Sequence, residues 1–185
     1  MIEVEIKLPI ARKEEIKRKL EKMGFEKTGM VCEEDVYFDN QIGQIRKNGE
    51  ALRIRKVTDL GTNQSQTVIT FKGKKLDQVS MSRKELETGV EDAAICTGIL
   101  EALGFFCVSP KVMKVREEYC FGQINACVDE VKNLGDFLEL EIVIPEDQKK
   151  EDALVKIEKI LKQLGYTMKD TTRNSYLSML LQIED

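Results

Sequence analysis

The chain is 185 residues long, 42% hydrophobic and 34% charged, which fits a single soluble domain (residues 1–185) able to build a sizeable core. Its 29 Lys and Arg are outnumbered by 33 Asp and Glu, for a net charge of −4, the wrong sign for a general nucleic-acid binder. Histidine is absent, which removes Ser-His and Cys-His dyads and every imidazole metal ligand, so any chemistry must use carboxylates, Lys, Arg, Tyr or a hard metal ion.

The chain opens with MIEVEIKLPI, in which Ile2, Val4, Ile6 and Leu8 alternate with Glu3, Glu5 and Lys7. That period of two is a strand with one apolar and one charged side. A helix over Ala11–Met23 follows, with Ile16, Leu20 and Met23 on one stripe. Strands are expected over Val31–Phe38, Ala51–Val57, Thr67–Gly73 and Ser80–Glu87, separated by polar loops at Gln41–Glu50, Asp59–Gln66 and Gly73–Val79. A second helix spans Glu91–Leu103, its stripe formed by Ile95, Ile99 and Leu103. Met113–Phe121 and Gln123–Asp129 read as a hairpin around Gly122, and Phe137–Ile144 as a last strand. The third helix covers Lys149–Leu164, and a short fourth starts near Asp170 and carries Tyr176, Leu177, Leu180 and Leu181.

The three long helices share one ending: Met23-Gly24-Phe25, Leu103-Gly104-Phe105 and Leu164-Gly165-Tyr166. Glycine just past the helix followed by a large apolar residue is the Schellman pattern. VEIKLPIARKEE before the first helix also resembles LELEIVIPEDQK before the third, which hints at a duplicated strand–helix unit.

Placed by parity, the strand charges gather on one face. It holds eight acids (Glu3, Glu5, Glu85, Glu87, Glu118, Asp129, Glu139, Glu141) and seven bases (Lys7, Arg53, Arg55, Lys72, Arg83, Lys114, Arg116). An open sheet with a solvated face is one account of this pattern. The other closes about eight strands into an antiparallel barrel, with the helices packed outside on the aliphatic faces and the charges turned inward. Charges in such number require a wet lumen, because each unpaired buried ion costs several kcal/mol. Lys and Arg in a cluster call for a polyanion, and all-oxygen carboxylate ligands select Mg²⁺ or Mn²⁺, so a metal-bound polyphosphate satisfies both.

Other residues have plainer readings. The five cysteines, with no C-x-x-C pair, are expected as free thiols in a reducing cytoplasm, and Cys127 as a small lining residue. No apolar stretch approaches a membrane span, and neither a P-loop nor G-x-G-x-x-G is present. Tyr37 reads as structural packing ahead of an inward placement with Asp35 and Asp39, Lys74 and Lys75 as a solvated turn or a closing loop, and Glu117 and Glu130 as surface charge.

The charged elements resemble the signature of the CYTH superfamily, the triphosphate tunnel metalloenzymes. They run Glu3-x-Glu5-x-Lys7, Leu-Arg53-Ile-Arg55, Phe-Lys72-Gly, Arg83-x-Glu85-x-Glu87, Lys114-x-Arg116, Asp129 and Glu139-x-Glu141. The resemblance implies an α+β fold: an eight-stranded antiparallel closed β-barrel, or tunnel. It further implies that Lys7, Arg53, Arg55, Lys72, Lys114 and Arg116 bind the triphosphate. Glu3, Glu5, Glu139 and Glu141 would hold Mg²⁺ or Mn²⁺ and carry catalysis with Lys7, Asp129 would be a further ligand or an orienter, and Arg83, Glu85 and Glu87 would support them.

Chain length and the C-terminal TTRNSYLSMLL look most like the class IV adenylate cyclase branch, which converts ATP to cyclic AMP and pyrophosphate. Hydrolysis of inorganic tripolyphosphate or thiamine triphosphate, and a non-catalytic polyphosphate or nucleotide sensor, stay open. The expected partner is ATP or another triphosphate, with neither nucleic acid nor membrane, and a homodimer is left open by analogy alone.

Overall fold

The computed structural model describes residues 2–76, 80–81, 83–145 and 149–184. The expected loop at Gly73–Val79 and the expected strand from Ser80 thus fall partly outside the described residues. Eight strands close into one antiparallel barrel: β1 (Ile2–Pro9), β2 (Glu26–Asn40), β3 (Ala51–Asp59), β4 (Ser65–Lys72), β5 (Arg83–Gly89), β6 (Phe105–Phe121), β7 (Ile124–Val131) and β8 (Gly135–Ile144). Their order around the barrel is β1-β5-β4-β3-β2-β6-β7-β8, so every strand has two neighbours and no sheet edge is left open. Five helices accompany them: α1 (Lys13–Lys22), the single turn α2 (Gln44–Lys47), α3 (Ala93–Ala102), α4 (Lys150–Leu164) and α5 (Tyr176–Glu184). None is long and apolar enough to cross a membrane, among the described residues.

The main core lies outside the barrel wall. Val4, Ile6 and Leu8 of β1, Ala126 and Val128 of β7, and Leu138, Leu140 and Ile142 of β8 turn outward. They meet Ile16 and Leu20 of α1 and Ile157, Leu161 and Leu164 of α4. The repeat seen in the sequence has a spatial counterpart here, because β1 and β8 are antiparallel neighbours and the helix that follows each one packs over the pair. Gly24 (φ +90°) and Gly165 (φ +94°) provide the left-handed residue at the helix ends. Phe25 N–H then donates to Leu20 and Tyr166 N–H to Leu161. Glu117 and Glu130 fasten α1 to the barrel: Lys17 reaches Glu117 at 2.9 Å and Lys13 pairs with Glu130, while Lys27 of β2 also meets Glu117 at 2.6 Å. Glu117, expected as surface charge, is largely covered by Lys17 and Lys27.

The structure departs from the sequence expectation at four elements. β2 and β6 run longer than expected, with Glu26 pairing as far as Cys120 and Asn40 with Phe105, so each strand extends because its partner does. The α3 stripe is turned around. Ile95, Ile99 and Leu103 are 64%, 55% and 69% exposed, while Leu100, Ala93 and Cys96 pack on Phe38 and Ile54. The fourth helix begins at Tyr176, and only a 3₁₀ turn at Met168–Asp170 occupies the region of Asp170.

Candidate functional site: a charged tunnel

The alternation of β1 puts Glu3, Glu5 and Lys7 inside the barrel, and its pairing with β8 sets Glu5 opposite Glu141 and Lys7 opposite Glu139. β3 contributes Arg53 and Arg55, β4 Lys72, β5 Arg83, Glu85 and Glu87, β6 Lys114, Arg116 and Glu118. Together they line a cavity of about 600 Å³. Asp129 of β7 stands behind this lining, fully buried. Every charge that parity had placed on one face lines the lumen, except Asp129, which lies directly behind it.

The charges are sorted by wall. On one side, two arginine-containing pairs are each clamped by a buried aspartate that is the direct cross-strand partner of an arginine. Asp35 accepts from Arg55 Nε at 2.6 Å and from Nη2 at 2.8 Å, with Arg53 at 3.5 Å. Asp129 accepts from Arg116 Nε and Nη2, both at 2.7 Å, from Lys114 Nζ at 3.0 Å and from the Tyr176 hydroxyl at 2.8 Å. Burial alone would raise both aspartates, but the Arg55 charge beside Asp35 and the Arg116 charge beside Asp129 override it and hold both carboxyls below their usual range. Glu139 behaves likewise, drawn down by Lys7 at 3.0 Å and by Arg116.

On the other side, Glu3, Glu5 and Glu141 are crowded together with too few cations. Burial, then the neighbouring Glu3 carboxylate, pushes Glu141 up to about 8. Burial raises Glu5, reinforced by the charge on Glu139, and burial raises Glu3 in spite of Lys72 at 3.6 Å. Carboxylates held above their ordinary range by one another form a site short of positive charge, and their hard oxygens suit Mg²⁺ or Mn²⁺. Among the described residues no three such groups converge as a formed metal cluster. Lys72 is paired with Glu85, and Glu87 accepts the Thr70 hydroxyl at 2.7 Å, so β4 and β5 brace each other beside this acidic wall. Arg83 reaches toward the carbonyls of Gly49 and Gly73 at 3.4 and 3.5 Å.

The C-terminal segment completes the lining. Thr172 N–H donates to the Lys7 carbonyl at 2.7 Å, and Lys75 donates to the Arg173 carbonyl. Tyr176 places its ring 4.0 Å from Lys7 Nζ and 5.2 Å from Lys114 Nζ while its hydroxyl binds Asp129. Lys75 belongs to the tunnel rather than to a free turn, and burial together with the charges of Arg83, Arg173 and Lys7 lowers it to about 8. Cys127 is a buried thiol pushed up to about 12 by burial, which suits a small packing residue and not a thiolate ligand.

Residues that sequence reasoning missed come mainly from β2. Glu33 lines the cavity without being singled out by the sequence, and Asp35 and Tyr37 line it too, the inward placement that the sequence ranks below structural packing. Their signal was the alternation Glu33, Asp35, Tyr37, Asp39, hidden because Glu34 interrupts the apolar face between them. Asp39 ends the series by accepting from the backbone N–H groups of Ile45 and Arg46, which anchors α2 at the tunnel mouth.

The structure is thus an eight-stranded tunnel whose lining separates into an acidic and a basic side. The CYTH domain model matches residues 1–176, and the chain belongs to the CYTH family, whose members act on triphosphates and typically use a divalent metal. It is 37% identical to the putative adenylate cyclase MJ0240 of Methanocaldococcus jannaschii, over 97% of this chain and 98% of that protein. The solved structure of the PH1819 protein from Pyrococcus horikoshii matches with a TM-score of 0.88 at 35% identity, covering 98% of this chain and 99% of that one. The putative adenylyl cyclase HpAC1 from Hippeastrum, described as having a dominant triphosphatase activity, shares the fold at a TM-score of 0.68 and 17% identity, covering 98% of this chain and 95% of that one.

Proposed function

We propose that the protein is a metal-dependent enzyme acting on a linear triphosphate, with conversion of ATP to cyclic AMP and pyrophosphate as its reaction. The observation that carries this reading is the sorting of charge inside one lumen. Lys7, Arg53, Arg55, Lys114 and Arg116 are gathered along the basic wall, while Glu3, Glu5 and Glu141 are left short of positive charge. A triphosphate carrying divalent cations matches both walls at once.

In this reading the bases bind phosphate oxygens, with Lys72 at the junction of the two walls. Glu3, Glu5, Glu139 and Glu141 would hold Mg²⁺ or Mn²⁺, and such an ion would supply neutralisation of phosphate charge and a lowered pKa for the attacking hydroxyl. Asp129, its carboxylate already filled by Arg116, Lys114 and Tyr176, acts as the orienter of that basic pair. Arg83, Glu85 and Glu87 support the lining from β5. The attacking group in cyclisation is the ribose 3′-hydroxyl, aimed at the α-phosphate opposite the leaving pyrophosphate, so positioning and charge neutralisation suffice and no histidine base is required. Val108, Leu177 and Leu181 add an apolar patch to the cavity wall, suited to a nucleoside.

Hydrolysis of inorganic tripolyphosphate is the second reading. It is favoured by the absence of an unoccupied aromatic platform at Tyr176, whose ring is taken by Lys7 and whose hydroxyl is taken by Asp129. Phosphorus NMR of the protein with Mg²⁺ or Mn²⁺ separates them. ATP yielding cyclic AMP and pyrophosphate supports the cyclase, orthophosphate released from ATP or tripolyphosphate supports the hydrolase, and binding without turnover overturns both.

A further inference from the structure

Glu33 is held unlike the other carboxylates of the basic wall. Asp35 and Asp129 each form two well-directed hydrogen bonds with an arginine. Glu33 instead lays a single oxygen, Oε2, between cations of the two clamped pairs, 2.8 Å from Arg55 Nη1 and 3.1 Å from Lys114 Nζ. That oxygen is buried and accepts no directed hydrogen bond. The residue is 5% exposed, yet it lines the cavity.

Neither cation depends on Glu33 for its place. Arg55 is already fixed by Asp35 and Lys114 by Asp129, so Glu33 neutralises charge without setting geometry. An oxygen shared by a guanidinium and an ammonium at those distances, on a residue that lines the cavity, stands where an anionic substrate oxygen could bind the same two cations.

We propose that Glu33 is a built-in counter-anion of the tunnel, a carboxylate that holds Arg55 and Lys114 when no substrate is bound and gives them up to phosphate oxygens when one arrives. This inference rests on the triphosphate reading of the site. It makes Glu33 a residue that weakens substrate binding and hastens release: the phosphate must displace a competing charge on entry, and the same charge retakes the cations on exit.

The sign of the effect is the test. A residue that positioned Arg55 and Lys114 would, on removal, loosen the site and weaken binding. A competing counter-anion would, on removal, strengthen it. Glu33→Gln keeps shape and removes charge, and Glu33→Asp keeps charge as a check on side-chain length. Titration calorimetry of the whole chain with tripolyphosphate, with and without Mg²⁺, should show E33Q binding about 10-fold tighter than the unsubstituted protein, as expected for one charge removed at contact range in a wet site. Stopped-flow release should be slower by a similar factor, and E33D should stay close to the unsubstituted protein in both. Equal or weaker binding by E33Q, with the unsubstituted protein binding normally, overturns the role of Glu33 and leaves the triphosphate reading intact. Failure of all three proteins to bind tripolyphosphate overturns both. If E33Q does not fold, E33D with unchanged affinity would not rescue the proposal; it then stands or falls on Glu33→Ala, which must bind more tightly.

Discussion

The two walls of the tunnel hold the same functional group in opposite states. Beside Arg55 and Arg116 the buried carboxylates of Asp35 and Asp129 are held below their usual range, whereas across the lumen Glu3, Glu5 and Glu141 are held above it. Burial raises every one of them, so the difference lies in the neighbours alone. On the basic wall, cross-strand register sets an arginine directly opposite an aspartate, while at the β1–β8 seam the same rule of pairing sets Glu5 against Glu141. One wall is electrostatically complete and the other is not, and the incomplete one is where the proposed function puts a cation.

Breaking the complete wall should have the largest effect. Asp129→Ala leaves Lys114 and Arg116 buried without their shared carboxylate, and a loss of about 3–5 kcal/mol is expected in urea unfolding. Breaking the incomplete wall should act on turnover and spare the fold. Glu3→Gln is expected to lower metal-dependent product formation by at least about 100-fold, with a melting temperature unchanged or raised because a like-charge contact is relieved.

Acid and base sharpen the contrast further. Glu141, pushed up to about 8 from an ordinary 4.5, contributes its stability in full below about pH 4.5 and loses it as the pH rises through about 8. Asp35, held below its ordinary 3.8, contributes above that value and loses its share as the pH falls through its lowered value. Thermal melts of the metal-free protein should therefore fall by on the order of 1–2 kcal/mol between neutral and alkaline pH, and Mg²⁺ should remove most of that slope. The smallest effect belongs outside the tunnel: Glu130→Ala breaks an exposed pair with Lys13 and should leave the urea midpoint nearly unchanged, with turnover untouched.

Much of this contrast is visible in the sequence because strand parity is a strict rule. Once Ile6 faces the α1–α4 core, Glu5 and Lys7 must face the lumen, and the same logic carries Arg53, Arg55, Lys114 and Arg116 inward. Parity failed at Glu33 and Asp35, where Glu34 puts charge on both faces of β2 and removes the apolar marker. Helix α3 failed for a different reason. AAICTGILEA is apolar on nearly every side, so its own sequence does not choose a buried face, and contact with Phe38 and Ile54 chose Leu100 over Ile99. The first residues of β2 carry Glu, Lys, Thr and Gly, with no strand pattern of their own, and only pairing with the far half of β6 extends them. The division of the lumen into two walls lies beyond any one strand, since it depends on which strands become neighbours when the barrel closes.

Tyr176 is the first residue of α5, yet its ring faces Lys7 and Lys114 and its hydroxyl holds Asp129. The last helix is thereby fastened to two cations of the tunnel as well as to an apolar surface. If an anion in the tunnel draws on those cations, the start of the helix is expected to respond with them. Slow amide exchange at α5 would then report occupancy of a site that lies on the opposite side of that ring.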